Sequence, residues 1–465
     1  MSSIVNVALR LTERAKEMPD AIALAQILGR ASRSADQKFR YQTITFKQLD
    51  EDSDKIAQGM IDYGVTPGMR IAMLVPQGLD FVSVVFGMLK SGAVTILIDP
   101  GMGRKNLIDC LAAAKPEGFF GIPLAQAIRT VLRRRFPLTK KNVTVGRRCF
   151  WGGKTLQGFR KRNWQESVLH PTQADDEAAI IFTTGSTGPP KGVLYRHKNF
   201  DKQVEEIQNR YNITPGGIDV PGFPMFGLFN SAMGTTSVIP RLDPSRPASL
   251  NPAEFVDVIS DWQANQTFAS PAVLEKVGHY CHKKQIKIPT LKRILTAGAP
   301  VRRDVVRSML DATGDDAEIF TPYGATESLP VASISGAEIL AKTSQKTDLG
   351  DGVCVGTRFP GINWRVIPIT DEPIPHFDQI PRFCNSGEIG ELIVQGDVVT
   401  TEYVTRCETN PLAKILEKET GDIWHRMGDV GYLDEQERFW VCGRKSHRVI
   451  TRNPEGELVT LFTLR

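Results

Sequence analysis

Ala178-Ala179-Ile180-Ile181-Phe182-Thr183-Thr184-Gly185-Ser186-Thr187-Gly188-Pro189-Pro190-Lys191-Gly192 is the stretch that decides the fold. Residues 178–182 form an apolar run of the length of a buried strand. It opens into a loop where hydroxyls and glycines alternate before a lysine. Glycine lets the backbone approach a ligand and adopt positive φ. Successive N–H groups and hydroxyls can then surround phosphate oxygens, and Lys191 adds a compact positive charge. A Walker A loop needs Gly before the Lys and Ser or Thr after it; here Pro190 precedes Lys191 and Gly192 follows. An ordinary flexible turn is the plainer alternative, disfavoured by so long a pattern behind an apolar strand. The same logic recurs outward from this stretch. A strand is predicted over 70–75, a helix over 78–90, and a second strand over 93–98 closed by Asp99-Pro100-Gly101. Another strand over 293–296 ends in Ala297-Gly298-Ala299-Pro300. These βαβ-type alternations predict an α/β fold with mainly parallel sheets, whose ligands bind where strands end in small-residue loops.

The composition narrows the function. Length 465 predicts about 2–4 domains, or one large domain with an appendage. Apolar residues at 41% and charged residues at 23% are ordinary globular usage, enough for a large core. With 57 Lys+Arg against 52 Asp+Glu the net charge is +5, which excludes a protein whose whole surface binds polyanions. The 7 cysteines are scattered without a C-x-x-C pair, so a reduced compartment is expected rather than a disulfide framework or zinc ribbon. The most apolar region, 71–98, is interrupted by Gln77, Asp80, Lys90 and Ser91, and residues 1–20 are broken by Arg10, Glu13, Arg14 and Lys16. Neither a membrane span nor a secretory leader is expected, and the expected location is the cytoplasm. One region is biased: between Glu117 and Glu166 there is no acidic residue, and Arg129, Arg133, Arg134, Arg135, Lys140, Lys141, Arg147, Arg148, Lys154, Arg160, Lys161 and Arg162 are basic. Segment 129–162 is either a solvated face balancing acidic patches or a docking surface for an acidic partner or a membrane. No nucleic-acid motif accompanies it, so no nucleic-acid partner is expected.

Two further motifs bear chemistry. In Tyr323-Gly324-Ala325-Thr326-Glu327 the ring offers a stacking face, and the carboxylate four residues on suits Mg²⁺; a polar turn is the alternative. In His425-Arg426-Met427-Gly428-Asp429-Val430-Gly431-Tyr432, Asp429 can accept two ribose hydroxyls, and Arg444 downstream can contact ribose or phosphate; Asp429 reads equally as a turn residue. Phe226 and Phe229 either line an acyl pocket or pack as plain core, and Ser270 is assigned to the same pocket. Ser270-Pro271 is no nucleophile elbow. His279-Tyr280-Cys281-His282 has no second cluster to complete a metal site and is set aside.

Together these motifs, with Gly387-Glu388-Ile389-Gly390-Glu391-Leu392 and Tyr403 in the expected order, resemble the ATP-dependent adenylate-forming enzymes: acyl-CoA synthetases, luciferases and peptide-synthetase adenylation domains. The resemblance runs from about Phe46 to Ile450. It implies a large multi-sheet adenylate-forming domain over 1–443, a hinge at 444–446, and at 447–465 a truncated remnant of a small C-terminal domain, where the turn residues Asn453-Pro454-Glu455-Gly456 by themselves predict one hairpin. ATP and Mg²⁺ would be the cofactors. Thr183, Thr184, Gly185, Ser186, Thr187, Gly188 and Lys191 would lie on the phosphate loop. Gly298, Ala299, Pro300, Tyr323 and Gly324 would line the adenine pocket. Thr326 would touch the α-phosphate, Glu327 the Mg²⁺, Asp429 the ribose, and Arg444 the ribose or phosphate. Lys191, Thr326, Glu327 and Arg444 would carry catalysis.

Strings outside the nucleotide motifs resemble the OleC-type β-lactone synthetases of long-chain olefin biosynthesis. Among them are Gly121-Ile122-Pro123-Leu124-Ala125-Gln126, Cys149-Phe150-Trp151-Gly152-Gly153, Tyr195-Arg196-His197 and Cys442-Gly443-Arg444-Lys445-Ser446-His447. This narrower resemblance implies activation of a 2-alkyl-3-hydroxy fatty acid and closure of its β-lactone, with other olefin-pathway enzymes as partners. His197 and His447 are candidate bases for the hydroxyl proton. A fatty acyl-CoA or acyl-AMP ligase is the second reading. A truncated, non-catalytic adenylate-binding scaffold is the third, because the adenylation lysine that family members carry beyond the hinge has no counterpart here.

Overall fold

Two twisted sheets, with helices between and outside them, carry the chain. The computed structural model describes residues 4–32, 36–161, 163–164, 166–183, 189–223, 226–243, 246–452 and 458–462. The smaller, 7-stranded sheet runs Lys154–Thr155, Lys141–Thr144, Gly118–Gly121, Arg70–Leu74, Val94–Leu97, Glu177–Phe182, Gly192–Arg196. All neighbours are parallel except the last pair. The larger, 14-stranded sheet has a parallel half through Gln266–Ala269, Arg293–Thr296 and Glu318–Ala325. It turns antiparallel at Ser328–Ser335 and continues through Val353–Arg358, Phe439–Arg444, Ile423–Leu433, Gly390–Gln395 and Asn363–Ile367.

The expected strands lie within a residue or two of their predicted bounds, and the helix predicted over 78–90 is Leu79–Ser91. That helix starts at Gly78 and stops at Gly92, which adopts the left-handed conformation at φ 74° that glycine tolerates best. Every side chain on it except Asp80 is buried, because it contacts strands of both sheets. Burial at about 1.5–3 kcal/mol per large apolar side chain makes this helix a main source of core stability. Lys90, which interrupts the apolar run in the sequence, is fully buried and ion-paired at 2.6 Å to both Asp50 and Asp54 on helix Phe46–Asp62. A buried ammonium needs such partners. In the C-terminal stretch Val449–Arg452 pairs antiparallel with Leu458–Leu461, the expected hairpin; its turn at 453–457 lies outside the described residues. Among the described residues no helix is long and apolar enough to cross a membrane.

Candidate active site

The loop that decides the fold is the connection of a hairpin. Its strands Glu177–Phe182 and Gly192–Arg196 pair antiparallel with Phe182 opposite Gly192. The Thr183 N–H donates to the Lys191 carbonyl at 3.1 Å, and the Lys191 N–H donates to Thr183 Oγ1 at 3.2 Å, so the loop's ends are pinched together. The chain returns into a strand, which separates this loop from Walker A geometry independently of the residues flanking the lysine. Thr184, Gly185, Ser186, Thr187 and Gly188 lie outside the described residues.

Segment 402–405 lies along the outer edge of Gly192–Arg196. The Leu194 N–H donates to the Glu402 carbonyl at 3.1 Å, and the Gly192 N–H donates to Thr405 Oγ1 at 2.7 Å. This places the Tyr403 ring beneath Lys191, whose Nζ is 4.5 Å from the ring centroid, a cation–π distance. The Tyr403 hydroxyl donates to Glu327 Oε1 at 2.7 Å. Glu327 and Thr326 form the turn between strands Glu318–Ala325 and Ser328–Ser335, and they are held from three directions. Tyr195 donates to the Thr326 carbonyl at 2.6 Å; Thr400 donates through N–H and hydroxyl, each at 2.9 Å, to the Glu327 carbonyl; Tyr403 holds the carboxylate. Burial lowers the Lys191 ammonium from its ordinary range, against the opposing pull of Glu327. At Gly324 an added Cβ would stand 2.6 Å from the Ser328 carbonyl oxygen, so a side chain there would push the turn apart.

A second cluster sits further along the same strand pair. Tyr323 donates its hydroxyl to Asp429 Oδ2 at 2.5 Å, and Arg444 Nε pairs with Asp429 Oδ1 at 3.1 Å. Asp429 and Arg444 are cross-strand partners on Ile423–Leu433 and Phe439–Arg444. Burial raises the Asp429 carboxyl, while Arg444 and Tyr323 pull it down. Each oxygen keeps a free acceptor direction for a ligand hydroxyl. Behind Arg444, buried Glu391 receives Arg426 at 2.6 Å and Lys445 at 3.1 Å, which anchors the chain just after Arg444.

Gly298, Ala299 and Pro300 are exposed on the loop after Arg293–Thr296, the strand beside Glu318–Ala325, with Gly298 at φ 93°. Phe226 is buried on helix Phe226–Met233, stacked on Phe268 at 4.4 Å and tilted against Phe229 at 5.8 Å. Ser270 follows Phe268 by two residues, and its Oγ is buried with no hydrogen-bond partner among the described residues. His197 is fully buried at the end of Gly192–Arg196 remote from the loop, and burial lowers it to about 4, so it is a neutral packing group. His447 lies in the turn Lys445–His447 after Arg444. On helix Pro271–Lys284, Cys281 points into the core while His279 and His282 are exposed, so that string does not converge on one point.

Sequence reasoning missed Thr400, Phe268 and above all Lys414, and quoted Tyr195 without giving it a role. Lys414 is buried, donates to the Thr400 carbonyl at 2.5 Å, and has its Nζ 5.6 Å from the Tyr403 ring. Burial, opposed by Glu327 and reinforced by Lys191, lowers it to about 7. A single lysine inside the run Leu412-Ala413-Lys414-Ile415-Leu416 was the available signal. The carboxylate of Glu327 has one oxygen bonded to Tyr403 and the other without a hydrogen bond among the described residues. A hard oxygen with few competing carboxylates fits Mg²⁺, which takes one or two protein carboxylates plus phosphates.

Loop ends joined at Thr183 and Lys191, a clamped Thr-Glu turn and an Asp–Arg cross-strand pair are the geometry beside which the comparisons stand. The AMP-binding enzyme family profile matches residues 11–404, and the chain belongs to that family. Within it, the chain is 42% identical to the olefin beta-lactone synthetase of Stenotrophomonas maltophilia over 97% of this chain and 81% of that protein. It is 41% identical to the olefin beta-lactone synthetase of Xanthomonas campestris, over 97% and 80% respectively. The fold matches a long-chain-fatty-acid-CoA ligase (FadD1) of Archaeoglobus fulgidus with TM-score 0.77 at 18% identity, covering 98% of this chain and 90% of that one. The chain is an adenylate-forming enzyme that uses ATP.

Proposed function

We propose that this enzyme activates a 2-alkyl-3-hydroxy fatty acid as its acyl-adenylate and closes it to a β-lactone. The observation that carries this is the 42% identity to an olefin beta-lactone synthetase over 97% of the chain, well beyond the nucleotide motifs alone. In the first step the substrate carboxylate attacks the α-phosphorus of ATP; the bond to the β-phosphate oxygen breaks and pyrophosphate leaves. Lys191 and the hydroxyls of the 183–188 loop stabilise the charge spread over the phosphates. Thr326 would face the α-phosphate, Glu327 would hold the Mg²⁺, and Asp429 and Arg444 would hold the ribose. Mg²⁺, when bound, neutralises phosphate charge. In the second step the 3-hydroxyl oxygen attacks the activated carbonyl, and its proton passes to water or to the departing AMP phosphate. The acyl–phosphate C–O bond breaks, AMP leaves, and the four-membered ring is closed. Attack from within the same molecule gives positioning a high effective molarity to set against ring strain. Phe226, Phe229 and Phe268 form the apolar wall against which the alkyl chains are held, with Ser270 beside them. Residues 1–443 are the adenylate-forming domain in this reading, and 444–446 its hinge.

The test is incubation with Mg-ATP and a synthetic 2-alkyl-3-hydroxy fatty acid without CoA, followed by NMR. AMP and β-lactone are the expected products. Product only when CoA is supplied, and then as a thioester, would replace this reading by an acyl-CoA ligase.

A further inference from the structure

Helix Pro123–Val131 is inside out. Its inward face carries Gln126 and Arg129, both buried, and its outward face carries Leu124 at 65%, Ile128 at 44% and Val131 at 79% exposure. Those three lie at i, i+4 and i+7, a single stripe along the helix. The orientation is fixed by polar bonds rather than left to chance. Gln126 Nε2 donates to the Phe119 carbonyl at 3.1 Å and to the Val143 carbonyl at 2.9 Å, on two neighbouring strands, and Arg129 Nε donates to Gln126 Oε1 at 3.0 Å. Rolling the helix to bury its apolar stripe would leave a buried arginine and two strand carbonyls without these partners, which is costly. The stripe is therefore held outward by the sheet edge.

What surrounds it is cationic and apolar. The turn Arg133–Arg135 follows the helix directly; Arg135 neutralises Asp109 at 2.6 Å, while Arg133 and Arg134 are exposed with no ion-pair partner among the described residues. Alongside, Arg129 Nη2 donates to the Trp151 carbonyl at 3.5 Å, which brings the 147–151 segment against the helix. That segment presents Phe150 at 78% exposure next to exposed Arg147. Segment 118–165 contributes no carboxylate of its own, and Asp109, the carboxylate beside the turn, is paired with Arg135.

We propose that this face docks on an anionic lipid bilayer, with the helix lying in the interface, Leu124, Ile128, Val131 and Phe150 entering the acyl boundary, and Arg133, Arg134 and Arg147 meeting lipid phosphates. An apolar stripe flanked by arginines on a helix lying flat is the pattern of interfacial helices, and cations beside it add attraction to anionic headgroups. The surface narrows the basic segment of the sequence to a defined face that begins at Leu124, because Arg129, Lys141 and Arg160 are engaged internally.

The experiment is co-sedimentation of the full chain with vesicles of phosphatidylcholine alone and with added phosphatidylglycerol. Binding only to the anionic vesicles is expected, weakened at least tenfold by Arg133→Glu with Arg134→Glu, and separately by Ile128→Ser with Val131→Ser. Both variants should keep the far-UV spectrum and ATP binding of the parent. No sedimentation with anionic vesicles, or sedimentation that neither variant weakens, overturns the proposal. So does a loss of self-association in the Ile128→Ser, Val131→Ser variant without lipid, which would make the face an interface between copies. Vesicle binding is read without turnover, so its failure leaves the lactone assignment standing.

Discussion

The turn at Thr326–Glu327 and the rings around Phe268 are built on opposite principles. At the turn, single atoms hold position: Tyr195, Thr400 and Tyr403 each reach it from far along the chain, and each bond is 2.6–2.9 Å. Around Phe268, rings meet at 4.4–5.9 Å with no directed bond between them, and volume does the positioning. Directed bonds fail when one atom is removed, whereas packed rings re-pack around a change of shape. In the proposed function the first kind of order would serve the phosphates and the second the alkyl chains.

The largest break in this contrast is Lys191→Ala. If Lys191 faces the phosphates as proposed, its loss should slow adenylate formation by about 10²–10³-fold, read as pyrophosphate release, with the fold intact. Next comes a test from the aromatic side. Asp219 is buried on Ile218–Asp219 and accepts from Asn230, on the same helix as Phe226, at 2.5 Å; burial raises its carboxyl to about 7. A carboxyl raised in the folded state keeps a proton that the unfolded chain has lost. Its contribution therefore favours folding at low pH, falls as pH rises from about 4 to about 7, and is flat above. Asp219→Asn cannot ionise, so the variant should gain on the parent by about 2 kcal/mol between pH 5 and pH 8 in denaturant melts. An unchanged difference across that range would show that the carboxyl titrates normally. The smallest effect is Tyr403→Phe, which keeps the ring under both lysines and removes only the bond to Glu327. About tenfold slower adenylation is expected, near 1.4 kcal/mol, with acyl-chain preference unchanged; a shift in chain preference would blur the contrast.

Much of the scaffold was legible because it is written locally. The strands at 70–74, 177–182 and 293–296 are apolar runs stopped by Gly or Pro, and the helix at 79–91 is bounded by glycines at both ends. The motif residues Lys191, Glu327, Asp429 and Arg444 carry recognisable strings. Their clamps do not. Tyr403 and Glu327 are 76 positions apart, and no local pattern announces that pairing. Lys414 is hidden for the same reason: its partner Thr400 lies across a loop, and only the fold reveals a buried ammonium beside Tyr403. Helix Pro123–Val131 was not legible at all in direction: only Gln126 bonded to two strands shows which face turns inward.

The order of the strands has a consequence for the nascent chain. The 7-stranded sheet uses only residues between Arg70 and Arg196, so it can close early in synthesis. The 14-stranded sheet cannot: Val353–Arg358 waits for Phe439–Arg444, and Tyr323 waits for Asp429. A ribosome-bound chain that has not reached Asp429 already displays the lysine loop but lacks the Asp429–Arg444 pair. The lysine loop and the Asp429–Arg444 pair thus come to coexist only late, as the last long strands are added.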